Sequence, residues 1–213
     1  MRYKAILFDM DGTLLDTLTD MADAVNHILS VHGWPLRTTE EVRAFVGNGA
    51  RRLMERAVPP EVTGGDFETV LTEYRDWYQA HNCVATAPYP GIPALLAALA
   101  EAGIKTAVVS NKPDATTKTL AARFFPGLPA FGQRDDVPPK PAPDLVFRAL
   151  ETLGVDAADA VYVGDSEVDV ATARNAGLPL AAVSWGFRGR RALAEAGAAV
   201  IVDAAAELLE VLR

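Results

Sequence analysis

Cysteine is almost absent from this chain, and long apolar runs are missing. Cys83 is the only cysteine, which excludes an internal disulfide and a cysteine-rich metal site. A single thiol is typical of a protein that works in a reducing cytoplasm. The most apolar predicted helix, residues 92–102, is too short to span a bilayer and contains Pro93. No signal peptide precedes the first predicted strand, so we expect a cytoplasmic protein without a membrane partner.

Positive charge is also in the minority. Lys and Arg number 20 against 28 Asp and Glu, which gives a net charge of -8. This balance disfavours a nucleic-acid partner, because proteins that bind nucleic acids present basic surfaces. Half of the residues are hydrophobic, enough for a sizeable core, and 213 residues allow one domain or one domain with an insertion. We expect a monomer or a homodimer.

The first predicted strand is followed by two carboxylates. Residues 3–8 form an apolar run without alternation, which is typical of a strand covered on both faces. Asp9 and Asp11 come directly after it, Gly12 permits a sharp turn, and Thr13 offers a hydroxyl and an amide. Ligands bind at the carboxyl ends of strands in open α/β sheets, so these residues are candidates for an active site. A calcium loop would need further oxygen ligands and a distal Glu, whereas an ordinary turn also fits the stretch taken alone.

The rest of the chain divides into a helical block and an alternating block. Between residues 16 and 83 the sequence predicts only helices, at 18–31, 51–58 and 66–78, together with one that a capping box at 38–41 opens and that runs through residue 46. From residue 90 onward helices alternate with predicted strands at 104–109, 130–131, 160–163, 180–183 and 200–202. The predicted fold class is therefore α/β. Its parallel-sheet core comprises residues 1–15 and 84–213, and an inserted all-helical cap comprises residues 16–83.

Polar residues follow three of the predicted strands, where the carboxyl ends of a parallel sheet would bring them together. They are Asp9, Asp11, Ser110, Asn111, Gly164 and Asp165. Asp169 lies one helical turn beyond Asp165, so both carboxylates can face the same point. Four converging carboxylates would repel each other strongly in a cleft of lowered dielectric constant. A bound hard cation would resolve this repulsion, and oxygen ligands favour Mg2+.

Lys140 is the candidate cation of this cluster. It stands between Pro139 and Pro141, which restrict its backbone, and Asp144 is predicted to cap the helix that follows. A lysine that is fixed beside carboxylates can hold a phosphate and neutralise part of its charge. Taken alone, Lys140 also fits a solvated surface lysine, and Ser110 fits an ordinary loop hydroxyl.

Together these stretches resemble the haloacid-dehalogenase superfamily of phosphatases, which use an aspartate nucleophile. Residues 9–13 are similar to the first motif of that family, Ser110 and Asn111 to the second, Lys140 to the third and residues 164–169 to the fourth. The four motifs occur in the family's order, and the resemblance covers essentially the whole chain. The helical block also matches the position of the family's cap, so the resemblance implies a Rossmann-like core with an inserted cap.

The resemblance implies a mechanism for these positions. Asp9 would attack phosphorus and form an aspartyl-phosphate, and Asp11 would act as general acid and then as general base. Mg2+ would be held by Asp9, by the backbone carbonyl of Asp11 and by Asp165, with Asp169 either a partner of these ligands or a ligand through water. Phosphoryl oxygens would be bound by the remaining candidates, which are Ser110, Lys140, Asn111 and Thr13. Dehalogenases of the superfamily lack an acid at the position of Asp11, so phosphoryl chemistry is expected.

The substrate is expected to depend on the cap. Residues 46–53 resemble a cap segment of phosphoglycolate phosphatases, and residues 184–188 resemble a segment of the same group. This implies 2-phosphoglycolate, a small phosphorylated metabolite, with Gly49 and Arg51 as candidates for binding its carboxylate. Arg51 equally fits a solvated arginine on a helix face. A sugar phosphomutase and a broader phosphatase for phosphosugars, nucleotides or pyrophosphate are the alternative functions, and a non-catalytic binding module is disfavoured because no motif residue is missing.

Overall fold

The computed structural model describes residues 3–212, so residues 1, 2 and 213 of the predicted core segments lie outside the described residues. The strands are β1 (Ala5–Phe8), β2 (Leu15–Asp16), β3 (Ala87–Pro88), β4 (Lys105–Pro113), β5 (Ala130–Gln133), β6 (Ala160–Gly164), β7 (Leu180–Val183) and β8 (Ile201–Val202). The helices are α1 (Leu18–Val31), α2 (Thr39–Phe45), α3 (Gly49–Ala57), α4 (Gly64–His81), α5 (Ile92–Glu101), α6 (Asp114–Phe124), α7 (Asp144–Leu153), α8 (Glu167–Ala176), α9 (Gly189–Glu195) and α10 (Ala205–Val211). None of the helices within 3–212 is both long and apolar enough to cross a membrane.

Six strands form one parallel sheet in the order β5-β4-β1-β6-β7-β8. The strand β1 lies at its centre, where Ala5 pairs with Lys105 on one side and with Ala160 on the other. The first strand along the chain is therefore flanked by two strands that arrive about 100 and 155 residues later. Because all six strands run in the same direction, their carboxyl ends meet along one edge of the sheet.

Both faces of the sheet are covered, as the unbroken apolar run of β1 predicts. Ile6 and Phe8 pack into one core cluster with residues of α5, α6 and α10, whereas Ala5 and Leu7 pack into a second cluster with residues of α7 and α8. All four side chains are almost completely buried. Burial of a large apolar side chain contributes about 1.5–3 kcal/mol, so the central strand is a rigid base for the loop that follows it.

The helices α1 to α4 form a separate apolar cluster of their own, on the side of the sheet's carboxyl edge. In this cluster α1 packs on α2 and α4, and α3 packs on α4. The predicted capping box is confirmed: Glu41 N–H donates to Thr38 Oγ1 at 3.2 Å, and Thr38 N–H donates to Glu41 Oε2 at 2.7 Å. The fold class is thus the expected one, an α/β core with an inserted helical cap.

A short antiparallel pair and one buried aspartate tie the cap to the core. In the pair, β2 runs against β3, so the chain leaves and re-enters the core at the same place. Next to this pair, the carboxylate of Asp20 in α1 accepts hydrogen bonds from the backbone N–H groups of Val84, Ala85 and Thr86 at 3.1, 2.8 and 2.9 Å. The first helix of the cap is thereby held to the segment through which the chain returns to the core, directly before β3.

The structure corrects several predicted element boundaries. The strand β4 was expected to end at residue 109 but runs to Pro113, because it resumes pairing with β5 after an irregularity between Val109 and Pro113. Ser110 and Asn111 therefore lie within the strand. The helices α3 and α4 each begin two residues earlier than predicted, at Gly49 and Gly64.

Three local features were missed or assigned wrongly. The helix α9 was not predicted, because Leu193 is its only buried residue and leaves no apolar period to detect. The pair of β2 and β3 was missed because each strand has only two residues. The prediction of Asp144 as a cap was wrong: it is the first residue of α7, Pro143 occupies the cap position, and no side-chain cap bond is present there.

Candidate active site

The loop after β1 is built around a tight turn directly after Asp9. The carbonyl of Met10 accepts hydrogen bonds from the N–H groups of Thr13, Leu14 and Leu15 at 3.0 to 3.3 Å. Gly12 has a φ of +83°, and a Cβ at this position would lie only 2.3 Å from Oδ2 of Asp165. Only glycine satisfies both constraints, so the residue that relaxes the turn also makes room for a carboxylate from β6.

Three carboxylates and one ammonium group meet at the edge of the sheet. Asp9, Asp165 and Asp169 each place one oxygen within 4.8 Å of the others, and all three residues are buried. Nζ of Lys140 lies 2.9 Å from Asp9 Oδ1 and 2.8 Å from Asp169 Oδ1. It also donates to the hydroxyl of Tyr162 at 3.0 Å. The predicted convergence of residues from β1, β6 and the Lys140 turn is therefore present.

Each member of this cluster is held by further hydrogen bonds. Oδ1 of Asp9 accepts from the N–H of Met10 at 2.7 Å, and Oδ2 of Asp165 accepts from the N–H of Phe187 at 2.7 Å. Oδ2 of Asp169 accepts from both the N–H and the hydroxyl of Ser166, at 3.1 and 2.6 Å. Fixed side chains of this kind keep their positions when charge develops nearby.

The electrostatics of the cluster favour a bound cation. Burial, reinforced by the charge of Asp169, raises the pKa of Asp9 to about 7 even though Lys140 opposes this rise. Burial and the charges of Asp169 and Asp9 also raise the pKa of Asp165. Burial alone would lower the pKa of Lys140, but the two aspartates raise it above its ordinary value. One ammonium does not balance three carboxylates, and this all-oxygen donor set fits a hard divalent cation.

Asp11 stands apart from the three clustered carboxylates, with its side chain towards the cap. Its Oδ1 accepts a hydrogen bond from Thr17 Oγ1 at 2.7 Å, and its Oδ2 lies 3.2 Å from Nζ of Lys112. Lys112 is buried and donates to the hydroxyl of Tyr78 in α4 at 2.8 Å. A second buried ammonium thus links Asp11 to the cap.

Lys112 is the site residue that sequence reasoning missed. It directly follows Ser110 and Asn111 on β4, so the available signal was its place in a polar run next to a strand. A lysine there fits a solvated side chain equally well, because the sequence alone does not reveal that Tyr78 and Asp11 enclose it. The residue becomes a candidate only once the cap is in place.

Ser110 and Asn111 occupy the same part of β4. Ser110 is buried and lines the cavity, and its Oγ accepts from the N–H of Lys112 at 3.2 Å. The amide of Asn111 donates to the carbonyls of Gly47 and Lys140 at 3.2 and 3.0 Å, and its Oδ1 accepts from the N–H of Lys140 at 2.7 Å. The amide of Asn111 was expected to contact phosphate. In the structure its nitrogen and its oxygen both form hydrogen bonds with backbone groups instead.

Two further candidates are placed differently from the sequence-based expectation. The hydroxyl of Thr13 is completely buried and donates to Asp165 Oδ1 at 3.2 Å, so it supports a carboxylate rather than facing the cavity. The guanidinium of Arg51 is half exposed and forms a bidentate pair with Glu68 at 2.8 Å for both bonds. Arg51 does not line the cavity, because α3 directs it outward onto α4.

A cavity of about 260 Å³ lies between the cap and the carboxyl edge of the sheet. On the core side its walls include Asp9, Asp11, Ser110, Lys140 and Asp165. On the cap side they are mostly apolar and include Met21, Val46, Gly49, Leu53 and Tyr74. Gly49 has a φ of +83°, and a Cβ there would lie 2.6 Å from Oε1 of Gln133, so a side chain at this position would strain the backbone and displace the Gln133 side chain.

The loop after β7 closes one side of the cavity. The guanidinium of Arg188 donates to Glu167 Oε2 at 3.0 Å, to the carbonyl of Arg43 at 2.9 Å and to the carbonyl of Val46. Trp185 donates from Nε1 to the carbonyl of Thr13 at 3.1 Å and packs on the core. Arg188 therefore joins core to cap, and its guanidinium already forms an ion pair with Glu167.

Comparison with known proteins agrees with this geometry. The family model described as "Haloacid dehalogenase-like hydrolase" matches residues 6–183. An N-acetylmuramic acid 6-phosphate phosphatase from Pseudomonas aeruginosa is 36% identical over 100% of this chain and 96% of its own length. A phosphoglycolate phosphatase from Pseudomonas savastanoi pv. phaseolicola is 35% identical over 94% of this chain and 76% of its own length.

Solved structures give the same result. The crystal structure of a candidate phosphoglycolate phosphatase from Lactobacillus delbrueckii subsp. bulgaricus superimposes with a TM-score of 0.94 at 37% identity, covering 100% of this chain and 99% of that one. The match extends over both core and cap. The chain therefore belongs to the haloacid dehalogenase-like hydrolases and is a phosphatase of the phosphoglycolate-phosphatase-like group.

Proposed function

We propose that this chain is a Mg2+-dependent phosphomonoester hydrolase that acts through a phosphorylated Asp9. The observation that carries the proposal is the state of the Asp9 carboxylate. Both of its recorded contacts, from the N–H of Met10 and from Lys140 Nζ, reach Oδ1. Within residues 3–212, Oδ2 accepts no hydrogen bond, and the residue faces the cavity. One oxygen is thus anchored while the other is available for a nucleophilic role.

In the first step an oxygen of Asp9 forms a bond to phosphorus and the bond between phosphorus and the leaving oxygen breaks. Asp11 gives its proton to that leaving oxygen, so the alcohol departs neutral and Asp11 becomes a carboxylate. Thr17 and Lys112 hold the Asp11 carboxyl group on the cavity wall. Ser110 and Lys140 hold phosphoryl oxygens during the transfer.

In the second step water attacks the phosphorus of the aspartyl-phosphate. Asp11 takes the proton of that water, the bond between phosphorus and Asp9 breaks, and inorganic phosphate and free Asp9 are produced. The same residue therefore supplies and then recovers one proton in each cycle, and the balance closes without a further reactant.

Mg2+ would be bound by Asp9, Asp165 and the backbone carbonyl of Asp11, and it would neutralise charge on the transferring phosphoryl group. Asp169 has both oxygens engaged, by Lys140 and by Ser166. We therefore assign Asp169 to orienting Lys140 rather than to binding the ion directly. Thr13 and Asn111 support the site in the same way, by holding Asp165 and the Lys140 backbone.

The proposed substrate is 2-phosphoglycolate. This choice is supported by several phosphoglycolate phosphatases of 32 to 37% identity and by the cavity volume of about 260 Å³, which suits a small phosphorylated metabolite. N-acetylmuramic acid 6-phosphate is a second candidate. It is favoured by the apolar cap wall, which offers contact area to a leaving group larger than glycolate, and by the relative that matches this chain end to end. The cytoplasmic location and the monomeric or dimeric state stay predictions.

Phosphate release by the purified chain tests the proposal. The panel would contain both candidates, neutral sugar phosphates, nucleotides and pyrophosphate, with and without Mg2+, ranked by kcat/KM. We expect Mg2+-dependent release that is highest for one of the two candidates and that is lost in Asp9→Asn, whose amide is a poor nucleophile. Turnover only in the presence of a sugar bisphosphate activator would instead indicate the phosphomutase. Unchanged turnover in Asp9→Asn would contradict the proposed nucleophile.

A further inference from the structure

Arg75 lies where the catalytic cavity opens into a second depression. It lines the cavity together with Tyr74 and Tyr78 of the same helix, α4. It also lines a wider groove of about 1340 Å³ between the cap and the segment after β5. Arg75 is thus shared by the lining of the catalytic cavity and the lining of the groove.

Arg75 differs from the other arginines of the groove because its charge is uncommitted. Arg51 is paired with Glu68, and Arg52 is paired with Glu55 at 2.6 Å. Arg56 has no acidic partner among the described residues, but its guanidinium donates hydrogen bonds to the carbonyl of Phe45 at 2.7 Å and to the side chain of Asn48 at 3.0 Å. By contrast, Arg75 makes no hydrogen bond and no ion pair with any residue from 3 to 212.

Glu68, an acid that feels the charge of Arg75, already has an ion-pair partner in Arg51. Arg75 contributes to lowering the pKa of Glu68, but the largest cause of that shift is the hydrogen bonding from Arg51. Two of the groove's three aspartates are neutralised, since Asp114 pairs with Lys118 and Asp136 pairs with Arg134, whereas Asp135 has no ion pair within residues 3–212. The guanidinium of Arg75 is therefore the cation at this opening that is left for a ligand.

The remaining cations of the cavity are unavailable to a leaving group. Lys140 is held by Asp9 and Asp169, Lys112 by Asp11 and Tyr78, and Arg188 by its cap carbonyls and Glu167. The cap wall between them is mainly apolar, so an ionised group on the leaving alcohol would be costly to bury there without a partner. A guanidinium offers two parallel N–H donors, which match the geometry of a carboxylate.

We propose that Arg75 binds a carboxylate on the leaving group, and that the substrate class is phosphate monoesters whose alcohol carries a carboxylate. The inference rests on the proposed phosphatase function. It names the residue that selects the leaving group, and it moves this role from Arg51 to Arg75. Both candidate substrates carry a carboxylate, whereas neutral sugar phosphates do not.

Two matched substrate pairs test the inference with the 213-residue chain and Mg2+. The first pair is 2-phosphoglycolate and its carboxamide, and the second is N-acetylmuramic acid 6-phosphate and N-acetylglucosamine 6-phosphate. Whichever pair is turned over, we expect Arg75→Met to lower kcat/KM for the acid by roughly 10- to 100-fold, mainly through KM. For the neutral member we expect a change of less than about 2-fold. Arg75→Lys should recover part of the loss, because it restores the positive charge but not the two parallel N–H donors.

Arg52→Met is the matched control, because Arg52 lines the groove but not the cavity and is already paired with Glu55. It should leave both members of a pair unchanged. Equal effects of Arg75→Met on acid and neutral substrates, or no effect on either, would overturn the role of Arg75 while leaving the phosphatase intact. A greater loss for a substrate with a second phosphate than for the acid would also overturn the carboxylate assignment. Absence of phosphate release from every substrate would instead remove the proposed function itself.

Discussion

Lys140 and Asp169 form an ion pair that is shielded from solvent: Nζ lies 2.8 Å from Oδ1, and the two side chains are 2% and 0% exposed. The same ammonium reaches Asp9 at 2.9 Å. Asp169 therefore determines where the ammonium points, and this position decides which oxygen of Asp9 is left available. A buried pair of this kind is costly to break on one side, because the other charge remains buried without a partner.

The first prediction concerns Asp169→Asn. An amide cannot accept hydrogen bonds on both sides, so the variant must give up either Lys140 or Ser166, which Asp169 serves with separate oxygens. We expect kcat to fall by roughly 10- to 100-fold, the usual effect of losing a residue that orients catalytic groups. Steady-state kinetics and Mg2+ titration check this.

Glu101→Gln is a control for the change in net charge, because Glu101 is exposed and lies at the end of α5. It should leave kcat and the apparent Mg2+ affinity as they are. If Asp169→Asn retained full activity with normal Mg2+ dependence, the orienting role of Asp169 would be wrong.

The second prediction concerns Lys112→Met. Removing the ammonium takes away the 3.2 Å contact with Asp11 and leaves the hydrogen bond from Thr17, so the acid–base group is held at one oxygen instead of two. Since a positioned acid or base contributes about 100- to 10,000-fold, we expect kcat to fall by at least about 10-fold. Stopped-flow or steady-state phosphate release measures this effect.

Tyr78→Phe separates the two contacts of Lys112. It removes the hydroxyl that accepts from Nζ at 2.8 Å but keeps the ring, which lies 4.5 Å from the same ammonium. We expect only a small loss of kcat, because the contact with Asp11 remains. A loss as large as that of Lys112→Met would indicate that the link to the cap, rather than the hold on Asp11, is what matters.

The contrast between Lys140 and Lys112 illustrates how far the sequence could be interpreted. Lys140 was predicted because two prolines frame it and because it completes a family pattern. Lys112 was missed because its partner, Tyr78, is 34 residues away and belongs to the cap. Strand-end carboxylates are detectable from local pattern, since an apolar run shows where each strand ends. Contacts between cap and core are not detectable in this way, because they depend on how helices pack.

The arginine that binds the substrate is likewise not identifiable from local sequence pattern. In the sequence, Arg51 and Arg75 are two arginines on predicted helices, and only Arg51 stands in a recognisable segment. The structure pairs Arg51 with Glu68, seventeen residues away, and leaves Arg75 at the cavity opening. Which guanidinium is neutralised depends on the crossing of α3 and α4, and no local pattern encodes it. Short elements such as α9 were missed for a related reason, since they bury too few side chains to produce a period.

The third prediction concerns Mg2+ and pH. Burial and the charge of Asp169 raise the pKa of Asp9 to about 7, above the value of about 3.9 for an unfolded aspartate. The folded state thus binds this proton more tightly, so its stabilising contribution is complete below about pH 4 and is lost as the pH rises through about 7. Mg2+ binds the deprotonated carboxylates, so its stabilisation should grow over the same interval. We expect the rise in Tm caused by Mg2+ to be larger at about pH 8 than at about pH 5.

Differential scanning calorimetry at matched ionic strength measures this linkage. Asp165→Asn serves as the control, because it removes one of the three clustered carboxylates and should reduce the Mg2+ effect at the higher pH. A Mg2+ effect that is the same at both pH values would show that ion binding is not coupled to the protonation of this cluster.

The fourth prediction concerns the attachment of the cap. Asp20 is 2% exposed, and its carboxylate accepts hydrogen bonds from the N–H groups of Val84, Ala85 and Thr86. In Asp20→Ala these donors lose their acceptor beside the point where the chain returns to the core, and each unsatisfied buried group costs about 1–3 kcal/mol. Because some of the donors can reach water after a small shift, we expect the free energy of unfolding to fall by about 2–4 kcal/mol in total. Urea denaturation measures the fall, and KM should rise as well, since the cap wall of the cavity is attached through this segment.

Asp23→Ala is the matched control on the same helix, because Asp23 is exposed and has no hydrogen bond or ion pair within the described part of the chain. Equal stability of the two variants would mean that the hydrogen bonds of Asp20 do not contribute to the attachment of the cap, which would then depend on the β2–β3 pair and on contacts such as that of Arg188.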